Sequence, residues 1–308
     1  MSSPAAEPAS RPHEQHHSKA VSLAHVVLAY VVAFGLAAAW LAWGPSTGKL
    51  WLDGLVADVI ATLVVFVFSQ VHRNSSFYDA YWSVLPPLLA LYWWGASTPD
   101  VDQTRAWLVI GVILVWAVRL TANWVYTWPG LHHEDWRYVM LREGRSRPMA
   151  LVVDLFGIHL IPTLQVFLGM VPVYVALSRP GRPVGWLDAV AVVVGLGAVT
   201  LELVADTQLH RFARTRQPGQ SMDTGVWAWS RHPNYFGEVS FWFALAIFGL
   251  ATSPSDWWWI FVGAVAMLGL FEGISIPMME QRSLERRPTY QDVVDRVPRL
   301  VPRPPRRA

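Results

Sequence analysis

The 308-residue sequence contains no cysteine and few charged residues. The lack of cysteine excludes disulfides, thiolate nucleophiles, cysteine-ligated zinc and iron–sulfur clusters. Only 15% of the residues are Asp, Glu, Lys or Arg, whereas a soluble globular protein carries about 25%. The formal net charge of +2 is small, and the basic residues are spread over several loops, so the sequence does not indicate a nucleic-acid-binding protein.

Apolar residues are abundant instead: they make up 53% of the chain, which contains 18 Trp. Apolar runs that can cross about 30 Å of hydrocarbon predict membrane-spanning helices. The eight predicted spans are residues 21–43, 53–69, 79–95, 106–126, 151–177, 186–206, 237–252 and 257–277. The sequence therefore predicts an all-α protein, a polytopic transmembrane helix bundle of about eight spans in a lipid bilayer.

The distribution of basic residues predicts the orientation of the bundle. If all eight segments span the membrane, both ends of the chain and every second loop lie on one side. That side holds 19 of the 24 Lys and Arg residues, four lie on the other side, and Arg119 lies within a span. Since cytoplasmic loops are enriched in Lys and Arg, we expect both termini in the cytoplasm.

Three regions are expected along the chain. Residues 1–20 are rich in Pro, Ser, Ala and His and lack periodicity, which is typical of a disordered tail. Residues 21–277 are expected to make the transmembrane helical bundle. Residues 278–308 are expected to form a cytoplasmic C-terminal segment that folds back over the mouth of the bundle.

A few polar residues fall inside the predicted spans. A charge at the centre of a membrane helix costs about 2.5–3.5 kcal/mol on insertion scales, so these residues must face protein or water. In the fourth span, Arg119, Asn123 and Tyr126 have the spacing of one helix face. Arg119 has two open roles, ligand binding and an interhelical ion pair, and the candidate ion-pair partners are Asp79, Asp154 and Glu272. In the fifth span the polar residues are expected on two faces, one with Asp154 and Gln165 and the other with His159 and Thr163.

The end of the sixth span combines carboxylates with arginines. Glu202 and Asp206 are four residues apart, and Arg211, Arg214 and Arg216 follow them. Carboxylates can bind ribose hydroxyls and guanidinium groups can bind phosphates, so this segment is a candidate site for a phosphorylated adenosine cofactor. The alternative is an ordinary basic loop on the cytoplasmic side.

The segment Ser-Arg-His-Pro-Asn-Tyr-Phe-Gly-Glu, residues 230–238, directly precedes the seventh apolar run. Pro233 suits the first turn of a helix, where a missing N–H costs nothing. Asn234 and Glu238 are then four residues apart on one helix face. A polar, charge-balanced patch at the mouth of a membrane helix suits a polar ligand, and the alternative is a helix start that faces lipid headgroups.

Three segments together resemble the C-terminal domain of the steroid 5-alpha-reductase family: Asp206 with the arginines that follow, residues 225–238, and the tail from Glu280 to Pro302. The His-Glu-Asp-Trp-Arg-Tyr loop, residues 133–138, further resembles the bacterial branch of that family, whose function is unknown. The resemblance covers about residues 55–302.

The resemblance implies a multi-span membrane enzyme, in a bacterial inner membrane, that transfers hydride from NADPH to an activated C=C bond of a lipid or steroid-like enone. It implies cofactor binding by Arg119, Asp206, Arg211, Arg214, Arg231, His232, Asn234, Tyr235, Glu238 and Glu280. Family members polarise the substrate ketone with a glutamate and a tyrosine from their N-terminal half. For that role we predict Asp79 with Tyr126.

Two other functions remain open. Residues 231–237 and Glu280 also satisfy a pattern of integral-membrane methyltransferases that act on isoprenylcysteine or phosphatidylethanolamine and use S-adenosylmethionine. A membrane lipid-binding protein without enzymatic activity would use the same polar residues only to hold its helices together.

The tail has Val294 where the family pattern leads us to expect a second tyrosine after Tyr290.

Overall fold

The computed structural model describes residues 18–304, and this part of the chain is helical and contains no strand. Two of its helices contain π-helical turns, at Val153–Leu160 and Phe271–Ser275. The ten helices are α1 (Lys19–Trp43), α2 (Leu50–His72), α3 (Tyr81–Gly95), α4 (Gln103–Thr127), α5 (Trp136–Arg142), α6 (Arg147–Ser178), α7 (Trp186–Thr215), α8 (Pro233–Thr252), α9 (Pro254–Arg286) and α10 (Tyr290–Arg296).

Seven of these helices are long and apolar enough to cross a membrane: α1, α2, α4, α6, α7, α8 and α9. This confirms a polytopic helical bundle and an integral, multi-pass membrane protein. The third predicted span, α3, is a helix of only 15 residues, or about 22 Å. The 3₁₀ turn Ser75–Tyr78 precedes it, and its Trp93 reaches Gly54 near the start of α2.

Both ends of the described chain lie at the same face of the bundle. The Lys19 ammonium group donates to the carbonyl of Tyr126 at the end of α4, over 3.1 Å. The Arg303 amide donates to the carbonyl of Trp229, just before α8, over 3.0 Å. We call this the basic face; it includes the segments 128–146 and 216–232. Its location in the cytoplasm and the bacterial inner membrane stay predictions.

The expected disordered tail, residues 1–20, lies largely outside the described residues. Its last two residues belong to α1, because the Ser18 side chain caps this helix by accepting from the Val21 amide. The predicted boundary after residue 277 falls inside α9, which continues to Arg286.

The C-terminal segment folds back against the loop before α8. The Thr289 hydroxyl donates to the carbonyl of Gly219, and the Arg231 amide donates to the carbonyl of Pro298 over 2.8 Å. The tail therefore lies on the basic face, beside the start of α8.

Two apolar clusters fill the bundle. The larger one lies between α3, α4 and α6–α9 around Trp116 and Trp242, and the smaller one joins α1, α2 and α3 around Tyr30 and Tyr81. Membrane helices gain little from the hydrophobic effect against each other and depend on close packing of small residues. Gly237 on α8 illustrates this, because an added Cβ would lie 2.5 Å from Cγ of Glu202 on α7. This close packing of α7 and α8 brings together the polar residues of both helices.

Candidate functional site

The first polar cluster is centred on Arg119 of α4. Its guanidinium forms an ion pair with Glu202 of α7, lies 2.9 Å from Asp206 of the same helix, and lies 3.9 Å from Glu238 of α8. The spacing of four residues between Glu202 and Asp206 places both carboxylates on the face that meets α4. Arg119 therefore makes interhelical ion pairs, as one hypothesis held.

The partners proposed for Arg119 were wrong. Asp154 pairs with Arg142, Glu272 pairs with Arg299, and Asp79 accepts a hydrogen bond from a tyrosine. The spacing of residues along one helix shows which face they share but not which neighbouring helix that face meets.

Two tryptophans hold the Glu238 carboxylate in place. The indole N–H of Trp116 donates to one carboxylate oxygen over 3.1 Å, and that of Trp242 donates to the other over 2.9 Å. The Trp116 ring also stacks on Phe241 with centroids 4.4 Å apart. Sequence reasoning missed both indoles, although the spacing of four residues between Glu238 and Trp242 was a signal for the second.

The Arg119 cluster has more acceptors than donors. One guanidinium faces three carboxylates, and Oε1 of Glu202 is buried without a hydrogen-bond partner among residues 18–304. The Asn234 amide lies 3.4 Å from Asp206. Buried polar groups are normally satisfied, so an unsatisfied oxygen is a candidate contact for a ligand. The arrangement suits hydroxyl groups, amides or a cation.

A second cluster holds the C-terminal tail. Arg231 donates to Glu280 over 2.6 Å and to the carbonyls of Val294 and Val297, and Nε2 of His232 lies 3.1 Å from Glu280. The sequence grouped Arg231, His232 and Glu280 with the cofactor residues, whereas the structure directs them to the tail.

The remaining predicted cofactor residues occupy different positions. Tyr235 stacks on the His232 ring, with centroids 5.5 Å apart. Arg211 and Arg214 are exposed at the basic face, where Arg214 contacts the hydroxyl of Tyr126.

The predicted catalytic pair, Asp79 with Tyr126, is not brought together. Asp79 lies in the turn before α3 and accepts from the hydroxyl of Tyr138 over 2.8 Å. Tyr138 belongs to α5, in the segment of residues 133–138 that the sequence had singled out without giving this residue a role. The correct partner was missed because α5 packs against the turn before α3 only in the folded chain.

Burial raises the pKa of the Asp79 carboxyl to about 7, and the hydrogen bond from Tyr138 opposes this rise. Burial also raises the pKa of the Tyr138 phenol well above its usual range, assisted by the negative charge of Asp79. Both residues are half-buried. Asp79 is therefore an acid that can still hold its proton near neutral pH.

Electrostatic interactions connect this pair with Tyr235 of α8. The charges of Asp135 and Arg137 act on Asp79, and they also act on the phenol of Tyr235, which interacts with Asp206 as well. A second acid–phenol pair, Asp58 with Tyr81, has an oxygen–oxygen distance of 2.8 Å but is almost completely buried.

Comparison with known proteins identifies a family for this chain. No solved structure matches the chain. The uncharacterized protein C594.04c of Schizosaccharomyces pombe is 28% identical over 274 residues, which cover 81% of this chain and 79% of that protein. A family model described as "Protein of unknown function (DUF1295)" matches residues 65–297, and this family includes steroid 5-alpha-reductase-like membrane proteins. The match includes Asp79, Arg119 and Arg231 and covers more than two thirds of the sequence, so the chain belongs to the DUF1295 family.

Proposed function

We propose that this protein is an integral-membrane, NADPH-dependent reductase that transfers a hydride to an activated C=C bond of a lipid or steroid-like enone. The observation that supports it is the Asp79–Tyr138 pair, an acid with a raised pKa that interacts with the same two charged residues, Asp135 and Arg137, as Tyr235 of α8. A reductase of this class needs an acid for the acceptor carbonyl and a polar site for the cofactor.

The residues of the Arg119 cluster fit a dinucleotide in part. The unsatisfied oxygen of Glu202 and the carboxylate of Asp206 can accept from ribose hydroxyls, and the Asn234 amide can bind a carboxamide. The exposed Arg211 and Arg214 would bind the phosphates of the cofactor, since guanidinium groups bind phosphate through two parallel hydrogen bonds. When bound, NADPH would supply the hydride.

The protein's own chemistry in this proposal is acid catalysis. The protonated Asp79 carboxyl donates to the carbonyl oxygen of the acceptor, which draws electron density from the C=C bond. Tyr138 orients Asp79 by donating to its other oxygen. With the hydride of NADPH on the β carbon, Asp79 would give its proton to the carbonyl oxygen and an enol would form. The enol would become the ketone when its O–H proton returns to the Asp79 carboxylate and a proton from water adds to the α carbon. The acceptor enters sideways from the bilayer, because a lipid substrate partitions there.

A methyltransferase that uses S-adenosylmethionine is the second candidate. The observation that favours it is the surplus of two carboxylates over guanidinium groups around Arg119. A sulfonium cation would be attracted to that charge, whereas a phosphate placed there would be repelled.

Ligand binding to the detergent-purified protein separates these functions. Thermal shift and fluorescence titration with NADPH, NADH and S-adenosylmethionine should show stabilisation by NADPH, and Asn234→Ala should weaken it while the protein still folds. Stabilisation by S-adenosylmethionine alone would move the protein to the methyltransferases. No response to any of the three would favour a lipid-binding protein.

The acid is tested separately, with enone lipids as substrates. Asp79→Asn should abolish reduction and leave NADPH binding unchanged. Asp58→Asn is the matched variant, because Asp58 also accepts from a tyrosine but is almost completely buried. If Asp58→Asn abolished turnover and Asp79→Asn did not, the assignment of the acid would be wrong.

A further inference from the structure

A separate polar cluster lies between α2 and α6. His159 of α6 and Ser69 of α2 are both completely buried and contact each other, and Asp154 lies earlier in the same π-helical turn. Titratable groups buried at membrane depth are expensive and usually functional, and π-helical turns occur frequently at functional sites. The proposed reductase mechanism uses none of these three residues.

The π-helical turn also corrects an expectation. Asp154 and His159 were predicted on different faces of an ordinary α-helix. The turn lets the His159 ring reach the carbonyl of Asp154, five residues earlier, over 2.8 Å. Both side chains then face α2 and the turn before α3, because Asp154 accepts from Gln70 and Ser75 while His159 contacts Ser69.

The hydrogen bonds of the His159 ring are satisfied in two protonation states. The carbonyl of Asp154 can only accept, so Nδ1 carries a hydrogen. Nε2 lies 3.1 Å from the Ser69 hydroxyl oxygen, which is also 3.0 Å from the carbonyl of Val65. Neutral His159 accepts from the hydroxyl; protonated His159 donates to it, and the hydroxyl turns to Val65. A proton can therefore bind with one hydroxyl rotation and leaves no group unsatisfied.

The charges near His159 belong to an ion-pair network that reaches the basic face. Asp154 lies 3.2 Å from Arg142, and Arg142 also pairs with Glu134. Arg142 and Glu134 lie in segment 128–146 and are partly exposed. The other polar neighbours are uncharged: Tyr78, whose ring centroid is 5.1 Å from that of His159, and Gln70, Ser69 and Ser75.

We propose that His159 is a proton-binding site inside the membrane, and that its positive charge weakens the ion pair between Arg142 and Asp154. Binding moves one proton from water to Nε2 and changes no other covalent bond. The imidazolium repels the nearby Arg142 and is attracted to the Asp154 carboxylate through space, so protonation loosens segment 128–146 on the bundle. By linkage, firm docking of this segment weakens proton binding to the same extent. The proposal goes beyond the reductase function, and its test needs no cofactor or substrate.

The site is tested by following histidine ¹⁵N chemical shifts of the full chain in detergent as a function of pH. His159→Gln identifies the signal by its disappearance. The His159 signal should titrate reversibly while the protein remains folded. Asp154→Asn should weaken proton binding by about tenfold, equivalent to ~1.4 kcal/mol, because it removes the nearest anion. Asp295→Asn, an exposed carboxylate on α10, is the control and should change nothing.

Coupling to the loop is tested by trypsin cleavage at the exposed Arg145. Lowering the pH through the His159 titration should speed cleavage in the wild type relative to His159→Gln at the same pH. A His159 signal that never titrates in the folded protein, or that titrates identically in Asp154→Asn, would overturn the site. Equal cleavage of the two proteins at every pH would overturn the coupling.

Discussion

Two arginines of the same helix, Arg105 and Arg119 of α4, are buried in opposite ways. Arg105 faces a single carboxylate: its Nε and Nη2 donate to Asp188 over 2.7 and 3.0 Å, and its other hydrogen bonds go to the carbonyls of Arg182 and Pro183. Both members of this ion pair are 1% exposed. Arg105 lies at the end of α4 away from the basic face and holds the loop before α7 in place.

Arg119 faces three carboxylates and leaves donors and acceptors unused. Its Nε and the Oε1 of Glu202 have no partner among residues 18–304. This contrast separates structural charges from candidate ligand-binding charges in the bundle. A balanced, fully hydrogen-bonded pair has nothing left to offer a ligand, whereas an unbalanced and unsatisfied cluster does.

The largest effect is expected at Arg105. Arg105→Ala should lower the free energy of unfolding by about 3–5 kcal/mol, because it leaves Asp188 buried and unpaired. Denaturant unfolding in detergent measures this loss. The double variant Arg105→Met, Asp188→Leu should recover most of it, since the buried charge is also removed. If Arg105→Ala left stability intact but reduced ligand binding, the contrast between the two arginines would fail.

The next effect is expected at Glu202. Glu202→Gln keeps the shape of the side chain but replaces a carboxylate, of which Oε1 has no partner among residues 18–304, by an amide. Removing one charged hydrogen bond should weaken NADPH binding by about 1.5–3 kcal/mol, with little change in stability, because Asp206 and Glu238 still face Arg119. Titration of cofactor fluorescence measures the affinity. Lower stability with unchanged affinity would make the Arg119 cluster as structural as the Arg105 pair.

The site at the basic face should also respond to pH through Asp79. The unfolded chain releases the Asp79 proton near pH 4, and the folded chain releases it near pH 7. The folded state therefore binds more protons between these values, and Asp79 makes stability fall as the pH rises through this window. Reduction should decline above about pH 7 for the same reason. In Asp79→Asn, the free energy of unfolding should change less with pH over this window. An unchanged dependence on pH would mean that another group titrates there.

The smallest effect is expected at Tyr138. Tyr138→Phe removes one hydrogen bond and should lower stability by about 1 kcal/mol. Because that bond lowers the pKa of Asp79, its loss should move the alkaline decline of activity to higher pH. Tyr126→Phe is the matched control, since the Tyr126 hydroxyl contacts the exposed Arg214. If the two variants had equal pH profiles of activity, Tyr126 would again be a candidate for the catalytic partner of Asp79.

Much of the fold could be predicted because membrane helices are encoded locally. Apolar runs located seven of the long helices, and Pro233 indicated the start of α8, because these features depend on neighbouring residues in the chain. The π-helical turn at Val153–Leu160 was not predicted, because the spacing of residues along the sequence does not show where a helix changes its period.

Composition and helical period are enough to establish that the protein spans a membrane, that Glu202 and Asp206 share a helix face, and that Arg119 must avoid lipid. The packing of the helices adds that Arg119 meets these carboxylates, that Arg231 binds the tail and that Asp79 meets Tyr138. The reason is geometric: helical spacing determines directions around one axis, and partners depend on how the helices pack.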